Sequence, residues 1–79
     1  MVMTEARSGQ IAQKLFTYFN QLGWTEARKM MPDLMNPKNL GRFLTPTCAK
    51  IVKEIGVSEE EFREFLVLRG YKLAKDIGL

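Results

Sequence analysis

Residues 45–66 read TPTCAKIVKEIGVSEEEFREFL, and the punctuation of this stretch decides the fold. Thr45-Pro46 pairs a side-chain acceptor with a residue lacking the N–H that a first helical turn leaves unsatisfied, so a helix opens there. Cys48, Ile51, Val52 and Ile55 then fall on one side of it, and Gly56 ends it. Val57-Ser58-Glu59-Glu60-Glu61-Phe62 follows as a capping box, with Ser58 as N-cap, Glu61 at N3 and a hydrophobic staple between Val57 and Phe62. Three glutamates in one first turn also suit the positive end of the helix dipole. Phe62, Phe65, Leu66, Leu73 and Ile77 run toward the core from that point. Gly70 either ends the last helix or weakens it, leaving residues 71–77 as a separate turn.

The same devices recur upstream. Asn36-Pro37 opens a short turn through Lys38, Asn39 and Leu40 before Gly41. In the first helix Ser8 is the expected N-cap, and Ile11, Ala12, Leu15, Phe16, Phe19 and Leu22 form one apolar stripe. Gly23 supplies a left-handed stop, with Trp24 packing back just beyond it. Thr25 is expected to cap a second helix through Met31, where Pro32 ends or bends it. No four residues alternate as a half-buried strand requires, and no repeat or linker tract interrupts the chain. The expectation is an all-α, compact orthogonal bundle of four to five short helices. A flexible N-terminus covers residues 1–7 and a single helical domain residues 8–79.

Composition narrows what such a domain does. The chain has 79 residues, 46% apolar and 27% charged, with six Gly and three Pro. Disorder is not expected, and there is room for one core only. Histidine is absent and Cys48 is the single cysteine, which removes intramolecular disulfides, Cys/His metal sites and histidine-based acid–base or nucleophilic pairs. The opening MVMTEARSGQ mixes acid and base and leads into no apolar core, so no secretion signal is expected. No stretch approaches the roughly 20 apolar residues of a membrane span. A lone thiol fits a reducing compartment, and the cytoplasm is the default. Cys48 itself reads as a small core residue. Glu60 and Glu64 share a helix face, but nothing makes that face concave, so no enzyme is expected.

Residues 48–66, CAKIVKEIGVSEEEFREFL, resemble the helix-turn-helix unit: Gly56, Val57 and Ser58 match its turn, between a helix bearing Ile51, Val52 and Ile55 and one bearing Phe62 and Phe65. The resemblance implies a helix-turn-helix-like pair within the bundle and a DNA-binding role for it. Two positions depart from the pattern. Val52 stands where alanine is usual, and Glu59, Glu60 and Glu61 stand where a recognition helix meets base edges and phosphates. Three carboxylates oppose a polyanion, so the pair reads as structural, its acidic end facing solvent or a basic partner.

Positive charge lies in the centre. Arg28, Lys29, Lys38, Arg42, Lys50 and Lys53 stand against Asp33 alone between residues 28 and 53, within a net charge of +3 and a pI near 9.2. Asn36 to Arg42 offers amides and two cations in a compact turn, which suits phosphate; the plainer account is a solvated basic face. Met30, Met31, Leu34 and Met35 gather around Pro32, followed by Leu40, Phe43 and Leu44, either as gap-filling core or as an adaptable surface. Four short helices cannot bury every bulky apolar residue here. Val67, Leu68 and Tyr71 lie off the main stripe of the last helix, and an exposed patch marks an interface that a homodimer is the simplest way to cover.

The leading expectation is a non-enzymatic regulatory or adaptor module that binds another macromolecule, a protein or a second copy of itself. Trp24, Met31, Met35, Leu68 and Tyr71 are its candidate anchors. No cofactor, metal, membrane or small-molecule substrate is implied. The alternative is a small helix-turn-helix-like DNA- or RNA-binding protein, with Lys38, Arg42, Lys50 and Lys53 on phosphates.

Overall fold

Thr4, not Ser8, opens the first helix. In the computed structural model, which describes residues 3–70, the Thr4 hydroxyl accepts from the Arg7 N–H at 3.0 Å and α1 runs Glu5–Leu22. Ser8 is fully buried instead, its Oγ donating to the Glu5 carbonyl at 2.9 Å and accepting from Arg69 Nε at 2.8 Å. A distant partner thus claims the hydroxyl that local spacing assigns to a cap, and α1 begins at Glu5. The buried face of α1 is Ser8, Ile11, Ala12, Leu15, Tyr18 and Phe19. Phe16 and Leu22, expected on that stripe, stay 44% and 37% exposed. The apolar positions of α1 span more arc than its neighbours cover, and Tyr18 takes the place of the two flanking residues.

Gly23 serves two helices. At φ +93° and ψ 141° its N–H closes onto the Phe19 carbonyl and its own carbonyl accepts from Ala27, both at 3.0 Å. The stop falls at Gly23 as expected, but at positive φ outside the left-handed helical region, a backbone only glycine adopts readily. The following helix, α2, is Trp24–Leu34 with no side-chain cap, so Thr25 lies inside its first turn and caps nothing. Pro32 does not end it. The ring costs one bond, to the carbonyl of Arg28, only two residues before the helix stops, and Leu34 beyond it is buried.

The remaining punctuation falls where expected. Asn36 Oδ1 accepts from the Lys38 N–H at 3.0 Å and starts a single 3₁₀ turn, Pro37–Leu40. Thr45 caps α3, Pro46–Ile55, which Gly56 closes in the left-handed region at φ +71°. Ser58 caps α4, Glu59–Phe65, accepting from the Glu61 N–H at 3.1 Å. The other half of the expected capping box is spent elsewhere: the Glu61 carboxylate takes both arms of Arg7, Nε at 2.7 Å and Nη2 at 3.2 Å. Past Phe65 the helix widens into a π-helical segment, Leu66–Gly70. Arg69 brings that segment back to α1 through Ser8 and through Glu5 Oε2 at 3.0 Å.

The protein is therefore all-α, and among the described residues there is no strand. Its core is centred on Ile11, Phe19, Ile51, Phe62 and Phe65, with the Phe62 and Phe65 rings 5.8 Å apart. α1 packs against α2, α3 and α4. Tyr71, Leu73, Ile77 and the separate turn expected over 71–77 lie outside the described residues. No described helix is long and apolar enough to cross a membrane.

Candidate functional site

The chain between α2 and α3 is built as an arch. At its foot Asn39, wholly buried, donates through Nδ2 to the Asp33 carbonyl at 2.7 Å and accepts from the Thr45 N–H at 2.8 Å. Thr45 Oγ1 donates to the Asp33 carboxylate and accepts from the Cys48 N–H. One asparagine thus joins the end of α2 to the start of α3: it satisfies the Thr45 N–H and gives the Asp33 carbonyl a second donor beside the Asn36 N–H at 3.1 Å. Cys48 lies beneath, its Sγ 3.8 Å from the Asp33 carbonyl. Burial pushes its thiol up from the ordinary range, which makes it a poor nucleophile. Arg63 of α4 grips the crown, Nη2 donating to the Arg42 carbonyl at 2.8 Å.

Leu44 turns inward from this arch, 8% exposed, and Phe43 beside it turns out at 72%, with Leu40 at 43%. The Arg42 guanidinium lies 5.5 Å from the Phe43 ring centroid, a stacked cation–aromatic pair. Leu40, Arg42 and Phe43 are thereby presented on backbone held at both feet and at the crown.

Charge along the chain from Leu34 to Lys53 is one-sided. Among the described residues Arg7, Lys29, Arg63 and Arg69 pair with Glu61, Glu26, Glu59 and Glu5. Lys38, Arg42, Lys50 and Lys53 are all exposed and sit within reach of no carboxylate there. The acidic turn of α4 is less free than its sequence suggests. Glu61 answers Arg7 and is held below its ordinary carboxylate range by that hydrogen bond, and Glu59 answers Arg63 at 3.8 Å.

The residues singled out from the sequence as anchors fare unequally. Trp24 is 43% exposed, packs on Phe16 and edge-on to Phe19 at 6.3 and 6.0 Å, and donates from Nε1 to Asn20 Oδ1 at 2.7 Å. Met31, on the same side of α2 seven residues later, is half-buried against the core. Met35 is half-buried just past the helix. Leu68 is exposed on the π-helical segment beside Val67, and Tyr71 lies outside the described residues. Sequence reasoning grouped Leu40, Phe43 and Leu44 together without separating in from out, and it put Phe16 in the core. The signal that Phe43 sits outside any helix was its bracketing by Gly41 and Thr45-Pro46.

One open groove of about 430 Å³ runs between α1 and α3, lined by Gln13, Lys14, Thr17, Tyr18, Gln21, Leu22, Glu54 and Ile55. Most of its lining area is apolar, and Lys14 and Glu54 are its charged residues. No protein-family model, characterised protein or solved structure matches the chain. The fold and the arch together define a small all-α protein displaying an apolar and cationic loop.

Proposed function

We propose that this is a non-enzymatic regulatory or adaptor module that works by binding another protein, with the arch at Leu40–Phe43 as its contact surface. The supporting observation is a phenylalanine 72% exposed on backbone that hydrogen-bonded side chains hold in place. Burying such a side chain is worth about 1.5–3 kcal/mol, and pre-ordering the loop spares a partner the entropy of fixing it. Trp24 and Leu68 are further exposed apolar side chains, on other elements. A lone buried thiol suits a reducing compartment, and the cytoplasm is the setting we infer. A photo-crosslinking residue at position 43, compared with one at the exposed Glu60, tests the reading. Adducts of one defined mass formed only from position 43 support it; equal or absent crosslinking from both positions ends it.

A second reading rests on Lys38, Arg42, Lys50 and Lys53, which with Lys14 and Arg28 are exposed cations without carboxylate partners among the described residues. In it, the helix-turn-helix-like pair α3–α4 belongs to a DNA- or RNA-binding protein whose cations touch phosphate. Pairing of Glu59 and Glu61 within the chain lessens the repulsion that the acidic turn would exert. A mobility-shift series at low and high salt decides it, because phosphate-borne binding weakens steeply as salt rises.

A further inference from the structure

We propose that the arch's partner is an acidic protein segment carrying large apolar side chains, which deepens the protein-binding reading and rests on it. Between Asp33 and Glu54 the chain has no acidic residue, whereas Lys38, Arg42, Lys50 and Lys53 fall within that interval. The one carboxylate at its upstream border, Asp33, is occupied by Thr45 Oγ1. At the crown Glu59 is turned to Arg63 at 3.8 Å, whereas Lys38 and Arg42 answer no carboxylate among the described residues; a partner bearing Asp or Glu therefore gains from these unanswered cations while a basic one is repelled.

Charge alone would suit nucleic acid equally. The apolar side chains separate the two. Leu40 offers nothing to a phosphate or a base edge, and Phe43 is the single ring between Leu40 and Leu44 on which a base could stack. A protein segment uses both parts, its Leu, Phe or Trp covering Leu40 and Phe43 while its carboxylates meet Lys38 and Arg42. In that division of labour the charges set the encounter rate and the apolar pair sets the lifetime of the complex.

Panning a random peptide library displayed on phage against the intact chain tests this directly. Enriched sequences are expected to combine Asp or Glu with Leu, Phe or Trp. A synthetic peptide of that composition should lose at least about tenfold in affinity on Phe43→Ser or Arg42→Glu, in variants whose melting temperature matches the parent. The double variant Lys38→Glu/Arg42→Glu should come to prefer the same peptide with Lys in place of its acids. Enrichment of apolar peptides without acids, still lost on Phe43→Ser, overturns the acidic partner and leaves the protein-binding reading standing. Absence of any enriched peptide overturns both, whether or not an oligonucleotide binds; one that binds and is lost on Arg42→Glu hands the surface to nucleic acid.

Discussion

Phe43 and Phe62 are the same side chain in opposite situations, one 72% exposed and one at 0%. Truncating Phe62 to Ala is expected to cost about 3–5 kcal/mol. That is comparable to the whole stability of a small domain, on the order of 5 kcal/mol, so urea titration of Phe62→Ala should show a largely unfolded protein. Phe43→Ser should stay within about 0.5 kcal/mol of the parent by the same measurement. A larger loss would mean the ring packs against the fold and is no free contact. Asn39 is the polar counterpart of Phe62. Asn39→Leu strands the Thr45 N–H, at about 1–3 kcal/mol for a buried unpaired group, while the Asp33 carbonyl keeps the Asn36 N–H at 3.1 Å. Hydrogen exchange at the Thr45 amide should accelerate more than exchange in the middle of α1. The Cys48 thiol, buried and pushed up, should react slowly with iodoacetamide in the native protein and fast in urea.

At the level of elements, the two ends of the described chain are tied by side chains that sequence grammar assigns to caps. Glu61 has the spacing of a capping box and instead closes α4 onto α1 through Arg7. Its pH signature follows from the direction of its shift. The folded-state carboxyl lies below the ordinary value of 4.5 because the Arg7 hydrogen bond favours the charged form. The stability it contributes is thus fully present above the unfolded value and is lost as pH falls through the lowered folded one. Urea midpoints measured from neutral pH downward should fall more steeply in the parent than in Arg7→Gln across that acid window. Parallel curves would show that the pair adds nothing to folding. Arg69 makes the equivalent tie from the π-helical segment, to Glu5 and Ser8, so the start of α1 is held from two sides.

For the whole molecule, its small size explains why apolar side chains remain outside. A chain of 79 residues buries only about 60–65% of its unfolded surface, and Phe16, Trp24, Leu40, Phe43, Val67 and Leu68 are among those left over. Leftover area alone does not single out a site; the clamps on the arch and the cations Lys38 and Arg42, unanswered among the described residues, do. Two copies meeting arch to arch would set like charges together, so sedimentation equilibrium at low salt is expected to give a monomer. A dimer that Phe43→Ser dissolves would make the occupant a second copy. The helical class, the Thr45, Asn36 and Ser58 caps and the stops at Gly23 and Gly56 were legible from residues alone, because each depends on partners within about four positions. The buried side of α3 was legible for the same reason, through its regular spacing. Tertiary structure alone decided that Thr4 replaces Ser8 as the first cap, that Glu61 turns to Arg7, that α2 continues through Pro32, and that Phe43 faces out while Leu44 faces in. Each of those is a competition between a local preference and a contact made far along the chain or across the fold, and only the packed molecule brings the competitors within range of one another.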